Sequence, residues 1–534
     1  QSGPFYPFNL LLFLLWPDFS YRGIELLATW HLIFAGAAMY ICLRLMGPGL
    51  SLKRPAAVLG ALAFMFSDVF ITHIGNLNLI AVASWLPVAF IGLHRAIHAE
   101  NNRKSITWAI GGGAALGFAT LAGHGQMTFL IAIFLLTYAL YEAIINRRYR
   151  AIPLLGLLGL FAISLAGIAL FPAAETLRHT LRADFDSQRS TNYSLPLRAL
   201  PGLFAPDFFG RNASFWGDWL RVEVGYGGVV TWFMAAAAIA FRPTRQTFFF
   251  VGAGIFFLIL ALGPATPVYP MLAKIAPVIP FQVPARFVLL LNFCLAILAT
   301  VGLDALLDRT RLSMRRTRLL LLATALAGAA IAIGLLMRRA ELLPVDPDRA
   351  DQMARAILVF AGFAVLGWVV LAAGINRRSP SRLLAFAAIL LLFIDLYTLG
   401  RYVEIDWNDP MPGFAAESPA LQFLQAEPGI DRIDIATGAW QPNMPMIERL
   451  YAARGVYNPL ELANYNVYLG AVGYRGSPLY NVLGIKYVIG GKKEPPGDTS
   501  FIVPILDDDP AVTVYLNTRA LPRAMVLFNS NVIE

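Results

Sequence analysis

Residues 151–172 read AIPLLGLLGLFAISLAGIALFP and contain no charged side chain. A helix of about 20 mostly apolar residues is long enough to cross the roughly 30 Å hydrocarbon core of a bilayer. Comparable apolar runs recur through the first 400 residues of the chain. The pattern predicts an α-helical polytopic membrane protein.

The composition of the whole chain supports this fold class. Of the 534 residues, 57% are hydrophobic and 14% are charged, whereas about 25% of an ordinary soluble domain is charged. The composition therefore excludes a soluble enzyme and a disordered chain. Cys42 and Cys294 both lie in apolar runs, so a disulfide scaffold is excluded as well.

We predict about twelve membrane spans. They cover residues 22–46, 56–72, 76–97, 106–122, 126–146, 151–172, 226–243, 247–263, 287–307, 317–337, 354–375 and 383–400. Six alternate linkers carry 19 Lys and Arg side chains, and the opposite short linkers at 72–76 and 123–126 carry none. Cytoplasmic loops are enriched in these residues, so the alternation predicts that both ends of this chain lie outside the cytoplasm, on the outer side of the plasma (inner) membrane. Because the cations lie in short clusters between apolar runs, we expect the bilayer as a partner and no nucleic acid.

A shift in charge marks one domain boundary near residue 400. Residues 1–400 hold 32 basic against 18 acidic side chains, whereas residues 401–534 hold 10 against 15. We predict a re-entrant or interfacial segment at 1–21, a multi-span membrane domain at 22–400 and a mixed α/β domain at 401–534. By the span count, this last domain is extracytoplasmic, and it ends in a truncated strand.

The C-terminal domain shows strand-like runs rich in β-branched and aromatic residues. They read RIDIATG, IKYVIG, FIVPIL, AVTVYL and RAMVLFN. Residues 446–469 are predicted to form a helix broken at a Gly and a Pro. Contact with a carbohydrate polymer and a purely structural cap are both compatible with this domain.

Two outer linkers, at 173–225 and 264–286, are too long for simple turns, and long ordered loops are usually functional. The first carries six Arg and six acidic side chains with interleaved aromatic residues. Arginine binds phosphate oxygens through a planar fork, and aromatic rings stack on the apolar faces of sugars, so the linker suits a sugar-phosphate ligand. A solvated loop with surface ion pairs would have the same composition.

These loops and the outer ends of the spans provide the candidate site. The predicted phosphate-binding residues are Arg178, Arg182 and Arg286, and the predicted substrate-binding residues are His73, His124, Asp207, Trp216, Glu223 and Tyr226. Polar groups inside membrane spans are costly and often functional. The alternatives are a snorkelling side chain for Arg286 and local helix–helix hydrogen bonds for the polar groups in the spans.

An ordered series of motifs resembles the bacterial YfhO-type membrane proteins over nearly the whole chain. The series is GPFYPFNLL at 3–11, AFMFSDVFITHIGNLNLIAVASWLPV at 63–88, LAGHGQMTF at 121–129, LFPAAETLRHTLR at 170–182, LFAPDFFG at 203–210, VEVGYGG at 222–228, PFQVPARFVLLLNFCLAILATVGL at 280–303, LYNVLGIKYVIG at 479–490 and VYLNTRALPRAMV at 514–526.

The resemblance implies a GT-C-type fold and a membrane glycosyltransferase. Such an enzyme uses a polyprenyl-phosphate sugar on the outer face, and family members are associated with glycosylating cell-envelope glycopolymers such as teichoic acids. A divalent cation, Mg²⁺ or Mn²⁺, serves some GT-C enzymes, but the sequence shows no ligand set for one and no cofactor is assigned. A lipid or polysaccharide transporter and a non-catalytic scaffold for envelope assembly are the alternative functions.

The resemblance also implies where the catalytic carboxylate belongs. GT-C enzymes carry it in the first outer loop, just after the first helix, and this sequence begins near the end of that loop. We therefore expect at least one earlier helix and the usual catalytic Asp before Gln1. Within the sequence, the candidate catalytic residues are Asp18, Glu175 and Asp184.

Overall fold

The computed structural model describes residues 3–15, 21–47, 52–181, 191–208, 224–275, 283–308, 314–375, 381–400, 418–427, 429–455, 461–497 and 500–525. It divides into two compact units. Unit 1 comprises residues 1–170 and 186–405, and unit 2 comprises residues 171–185 and 406–534. The first long linker is therefore shared between the two units.

Unit 1 is helical. Its helices are α1 (Pro7–Leu15), α2 (Tyr21–Leu45), α3 (Arg54–Met65), α4 (Asp68–Thr72), α5 (Leu77–Ser84), α6 (Leu86–His98), α7 (Asn102–Leu121), α8 (Gly125–Ile144), α9 (Ala151–Leu177, which ends in unit 2), α10 (Val229–Phe241), α11 (Arg245–Ala261), α12 (Val268–Ile275), α13 (Val288–Leu307), α14 (Met314–Leu342), α15 (Pro347–Ile375) and α16 (Ser381–Gly400). Short 3₁₀ turns occupy Leu197–Leu203, Gly263–Ala265 and Pro284–Phe287.

Helical residues occupy each predicted span. Within the described residues, nine helical segments are long and apolar enough to cross a membrane. The other three predicted spans fall on α7, which has 20 residues, on α10 with 13 and on α11 with 17. The count of twelve stays a prediction.

Helix α13 is the central element of unit 1. Every residue from Val288 to Leu306 is buried, and α13 packs against α3, α10 and α11. A Cβ atom at Gly302 would overlap the carbonyl oxygen of Met234 on α10. Small residues at such crossings let the backbones of membrane helices approach closely, so this glycine sets the distance between α10 and α13.

Unit 2 is a mixed α/β domain. Its elements are α17 (Pro419–Ala426), β1 (Arg432–Ala436), α18 (Met444–Ile447), β2 (Tyr451–Ala452), α19 (Ala463–Val472), α20 (Pro478–Val482), β3 (Ile485–Gly491), β4 (Ile502–Leu506) and β5 (Val512–Asn517). The sheet has the order β2-β1-β3-β5-β4, in which β1 pairs in parallel with β2 and β3 while β5 pairs antiparallel with β3 and β4.

Four of the five predicted strands are β1, β3, β4 and β5, and the fifth extends beyond residue 525, outside the described residues. The prediction of a helix across 446–469 is wrong for its first half. Arg449 has a left-handed backbone (φ 57°), which a right-handed helix does not accommodate. Tyr451 and Ala452 then pair in parallel with β1.

Candidate functional site

A glycine-rich turn, residues 224–228, leads into α10 and carries the predicted site residue Tyr226. Gly225 and Gly228 have φ values of 77° and 88°, a region that glycine enters without a Cβ penalty. A Cβ atom on Gly228 would lie 2.8 Å from Leu392 and 3.2 Å from the carboxylate of Asp395. Glycine therefore lets this turn pass close to α16.

Two fully buried carboxylates hold the turn. Asp68 Oδ2 accepts hydrogen bonds from the backbone N–H groups of Val224 and Gly225, both at 2.8 Å. The Asp68 N–H donates to the carbonyl of Tyr226 at 2.9 Å. On the other side, Asp395 accepts from the Tyr226 hydroxyl and from the Val230 N–H, the latter at 3.2 Å. Asp68 begins α4 and Asp395 lies on α16, so tertiary packing brings both to the turn.

Tyr226 faces a cavity of about 500 Å³ in unit 1. Its other polar lining residues are Asp207, Gln352, Arg355 and Thr398, and its apolar wall is formed by Phe204, Ala205, Pro206, Ala356, Val359 and Phe360. This volume falls within the range of about 300–1,000 Å³ that small-molecule sites occupy. A half-buried carboxylate (Asp207) and an exposed guanidinium (Arg355) thus line one cavity.

A second, apolar cavity has two wall residues in common with the first. It has a volume of about 230 Å³ and shares Phe204 and Phe360 with the first. Its remaining lining residues come from α10, α14 and α15: Val229, Trp232, Phe233, Ala236, Thr324, Ala327, Gly328, Ile331 and Ala364. The Phe204 ring lies 5.2 Å from that of Trp232 and 6.3 Å from that of Phe360, centroid to centroid. Together, the two cavities provide a charged compartment beside an apolar one.

The other predicted site residues of unit 1 are anchored in local structure. His73 is buried, and its Nδ1 lies 3.1 Å from both the Thr72 hydroxyl and the Val69 carbonyl. His124 caps α8 by accepting from the Met127 N–H at 3.3 Å. Arg286 donates to Gln126 Oε1 at 2.6 Å, and the Gln126 amide donates to the Val283 carbonyl at 2.9 Å. None of the three lines the charged cavity.

Glu175 and Arg178 belong to unit 2, around the C-terminal end of α9, and both side chains are exposed. Asp18, Arg182, Asp184, Trp216 and Glu223 lie outside the described residues. Among the predicted residues, the structure therefore brings Asp207 and Tyr226 to one cavity.

Sequence reasoning missed Arg355, the cation among the described residues that line this cavity. It is the second residue of the predicted span 354–375 and follows the charged segment 346–351, where an arginine ordinarily snorkels to the interface. Asp395 is a charged residue inside the predicted span 383–400, but its partner Tyr226 is 169 positions away in sequence. No local pattern connects two residues at that separation.

The described residues contain no group of three or more His, Cys, Asp or Glu side chains that could hold a metal ion. Among the described residues that line the cavity, one is a carboxylate, Asp207. That donor set does not fit a divalent cation such as Mg²⁺, which binds through several oxygen ligands.

Comparison with known proteins gives a family match and a likeness to solved structures. The family model described as "Bacterial membrane protein YfhO" matches residues 5–423. Among solved structures, the crystal structure of ArnT from Cupriavidus metallidurans bound to undecaprenyl phosphate aligns with a TM-score of 0.47 and 14% identity, covering 97% of this chain and 89% of that one. No curated protein matches the chain.

Proposed function

This chain belongs to the YfhO family of bacterial membrane proteins, and from that premise we propose that it is a GT-C-type membrane glycosyltransferase. Its donor is a sugar carried on a polyprenyl phosphate, and its acceptor is a cell-envelope glycopolymer such as a teichoic acid. The reaction takes place on the outer face of the plasma membrane, the side on which the alternation of basic linkers predicts the long loops and unit 2 to lie.

The observation that carries this proposal is the pair of neighbouring cavities in unit 1, which share Phe204 and Phe360. Arg355 and Asp207 line one compartment, and apolar side chains line the adjoining one. A polyprenyl-phosphate sugar has the same division, because a charged and hydroxylated head is joined to a long hydrocarbon tail. The head matches the first cavity, and the tail matches the second and the surrounding lipid.

Arg355 is suited to bind the donor phosphate. It makes no hydrogen bond or ion pair with any residue in the described part of the chain, so its guanidinium is available to a ligand. As the bond from the sugar carbon to the phosphate oxygen breaks, negative charge grows on the departing phosphate. A cation fixed beside that oxygen stabilises the transition state. The predicted alternatives, Arg178, Arg182 and Arg286, would act in the same way.

Asp207 is suited to activate the acceptor. Its carboxylate accepts the proton of the acceptor hydroxyl as the new oxygen–carbon bond forms, and the electron pair of the broken bond stays on the donor phosphate. The Tyr226 hydroxyl donates to Asp395, and this hydrogen bond fixes the tyrosine side chain at the polar side of the cavity. Asp18, Glu175 and Asp184 stay predictions for the same catalytic role.

The test uses the full chain in nanodiscs with radiolabelled glucose, galactose or N-acetylglucosamine on undecaprenyl phosphate. We expect transfer to purified envelope polymer. Asp207→Asn should lower kcat while leaving donor KM nearly unchanged. Arg355→Ala should raise donor KM about 10- to 150-fold, because a charge-assisted hydrogen bond is worth about 1.5–3 kcal/mol. It should also lower kcat, because the lost cation stabilises the departing phosphate in the transition state.

Arg349→Ala is the matched control, because Arg349 lies on the same helix, pairs with Asp346 at 3.0 Å and does not line the cavity. Equal loss of activity in Arg349→Ala and Arg355→Ala would contradict the assignment of Arg355. Movement of labelled lipid across the membrane without a covalent product would indicate the transporter. Polymer binding with neither transfer nor movement would indicate the scaffold.

A further inference from the structure

Unit 2 contains a cleft of about 360 Å³ where β1 and β2 begin. Its polar lining residues are Gln425, Glu427, Asp431, Glu448, Arg449 and Tyr451. The Tyr487 side chain also reaches it. The volume falls in the range of small-molecule sites, about 300–1,000 Å³, and several polar groups converge on it.

Three carboxylates in the cleft are each fixed through one oxygen. Glu427 Oε2 accepts from the Tyr487 hydroxyl at 2.9 Å, and Glu448 Oε2 accepts from the Gln425 amide at 2.9 Å. Asp431 Oδ2 accepts from Lys486 Nζ at 2.9 Å.

Within the described residues, the second oxygen of each of these three carboxylates has no hydrogen-bond partner. A carboxylate can accept through both oxygens. The cleft therefore presents three orientated acceptors for hydroxyl groups of a ligand.

Arg449 adds a donor. Its exposed side chain lines the cleft and makes no hydrogen bond or ion pair with the residues that the structure describes. Its guanidinium has five N–H donors. The left-handed backbone at this position (φ 57°) is unfavourable for arginine, and glycine would adopt it without strain.

Tyr451 provides an aromatic surface. Its side chain is 47% exposed, and the Arg523 guanidinium lies 4.5 Å from its ring centroid. Arg523 also donates to the Ile430 carbonyl at 2.9 Å, which fixes the cation against the ring. Tyrosine combines an apolar ring with a polar hydroxyl, the combination that stacks on one face of a sugar ring.

Nearby cations offset part of the negative charge of the three carboxylates. Arg449 lines the cleft, Lys486 pairs with Asp431 at 2.9 Å and with Glu427 at 3.6 Å, and Arg523 lies against the Tyr451 ring. The hydrogen bond to Asp431 raises the pKa of Lys486, so this cation stays charged at neutral pH. A neutral, hydroxyl-rich ligand suits this arrangement better than a polyanion or a polycation.

We propose that this cleft of unit 2 binds a neutral saccharide of one or a few rings. The ligand hydroxyls donate to the free oxygens of Glu427, Asp431 and Glu448, and Arg449 donates to ring or hydroxyl oxygens. The proposal goes beyond glycosyl transfer and does not depend on it, because every residue that carries it belongs to unit 2.

The experiment measures binding to the full chain in nanodiscs. A glycan array of bacterial envelope saccharides and titrations with maltose, cellobiose and N,N′-diacetylchitobiose supply the ligands. We expect the wild type to bind at least one neutral saccharide, with an affinity that changes little between low and high salt. Arg449→Gly should weaken that binding at least about tenfold without lowering the melting temperature, because glycine relieves the backbone strain.

Arg519→Ala is the matched control, because Arg519 is an exposed arginine of unit 2 that contacts Phe501 and does not line the cleft. Tyr451→Ala serves as a second cleft variant and should also weaken binding. Three results would overturn the proposal: no neutral saccharide binds, Arg449→Gly and Tyr451→Ala bind as well as Arg519→Ala, or the preferred ligand is a polyanion whose affinity falls with salt. Absence of glycosyl transfer by the wild type, with saccharide binding intact, would overturn the proposed function alone.

Discussion

Removing the Asp68 carboxylate should release the turn that places Tyr226 in the charged cavity. In Asp68→Ala, the buried N–H groups of Val224 and Gly225 lose the acceptor that lies 2.8 Å from each. A buried donor left without a partner costs about 1–3 kcal/mol, so the two together cost about 2–6 kcal/mol. That free energy acts on a five-residue turn and not on the whole bundle.

Hydrogen–deuterium exchange measured by mass spectrometry reports this loss directly, whether or not the glycosyltransferase assignment holds. At about 1.4 kcal/mol per factor of ten, a loss of 2 kcal/mol should accelerate exchange across residues 224–228 by about 30-fold or more. Transfer activity should fall with it, because small displacements of positioning groups can cost about 100-fold in rate.

Asp68→Asn provides the graded comparison, because an amide oxygen can still accept from both N–H groups but carries no charge. It should accelerate exchange less than Asp68→Ala does. Glu100→Ala is the control, since Glu100 forms an exposed pair with Lys104 at 3.2 Å and should leave the turn unchanged. Unaltered exchange at 224–228 in Asp68→Ala would refute the role given to this carboxylate.

Further predictions concern packing, pH and topology. Gly302→Ala should prevent normal folding, because its methyl group would overlap the Met234 carbonyl, whereas Gly334→Ala should be tolerated since nothing lies within 4 Å of its Cβ position. Size-exclusion profiles in detergent report the folding of both variants. A normal profile for Gly302→Ala would contradict the close approach of α10 and α13. Burial acts to raise the pKa of Asp509, but hydrogen bonds from Ser418 and from backbone N–H groups outweigh it and hold the pKa below its usual value. The folded state then binds fewer protons than the unfolded state, so unit 2 should lose this stabilisation as the pH falls below about 4, and Asp509→Asn should remove that part of the acid response in exchange measurements. If unit 2 lies outside the cytoplasm, Tyr474→Cys should react with a membrane-impermeant maleimide from outside intact cells, since Tyr474 is 70% exposed and both native cysteines are buried. Labelling only after lysis would put unit 2 in the cytoplasm.

Most of the helices could be predicted from local composition. Insertion of a helix in lipid depends on some 20 consecutive residues, which is why helical residues occupy the predicted spans 151–172 and 287–307. Strand propensity likewise predicted β1 and β3 of unit 2. It failed at β2, because two residues such as Tyr451 and Ala452 carry too little pattern and pair through a neighbouring strand.

The cavity of unit 1 could be predicted only in part. Asp207 and Tyr226 were candidates because a long loop rich in charged and aromatic residues indicates a site. Arg355 was overlooked, because a cation at the edge of a predicted span ordinarily snorkels to the interface. Arg355 and Asp207 line the same cavity because of how α15 packs in the tertiary structure. No short stretch of the sequence contains both residues.

By itself, the amino-acid sequence determined that this chain is a multi-pass membrane protein with a more polar α/β region at its C-terminal end. Only the tertiary structure decided which polar groups meet: Asp68 with Val224 and Gly225, Asp395 with Tyr226, and Arg355 with Asp207 around one cavity. The physical reason is the separation in sequence over which each effect acts. Transfer into lipid is a sum over neighbouring residues, whereas a hydrogen bond between positions more than 150 residues apart exists only when the packing of the helices is set.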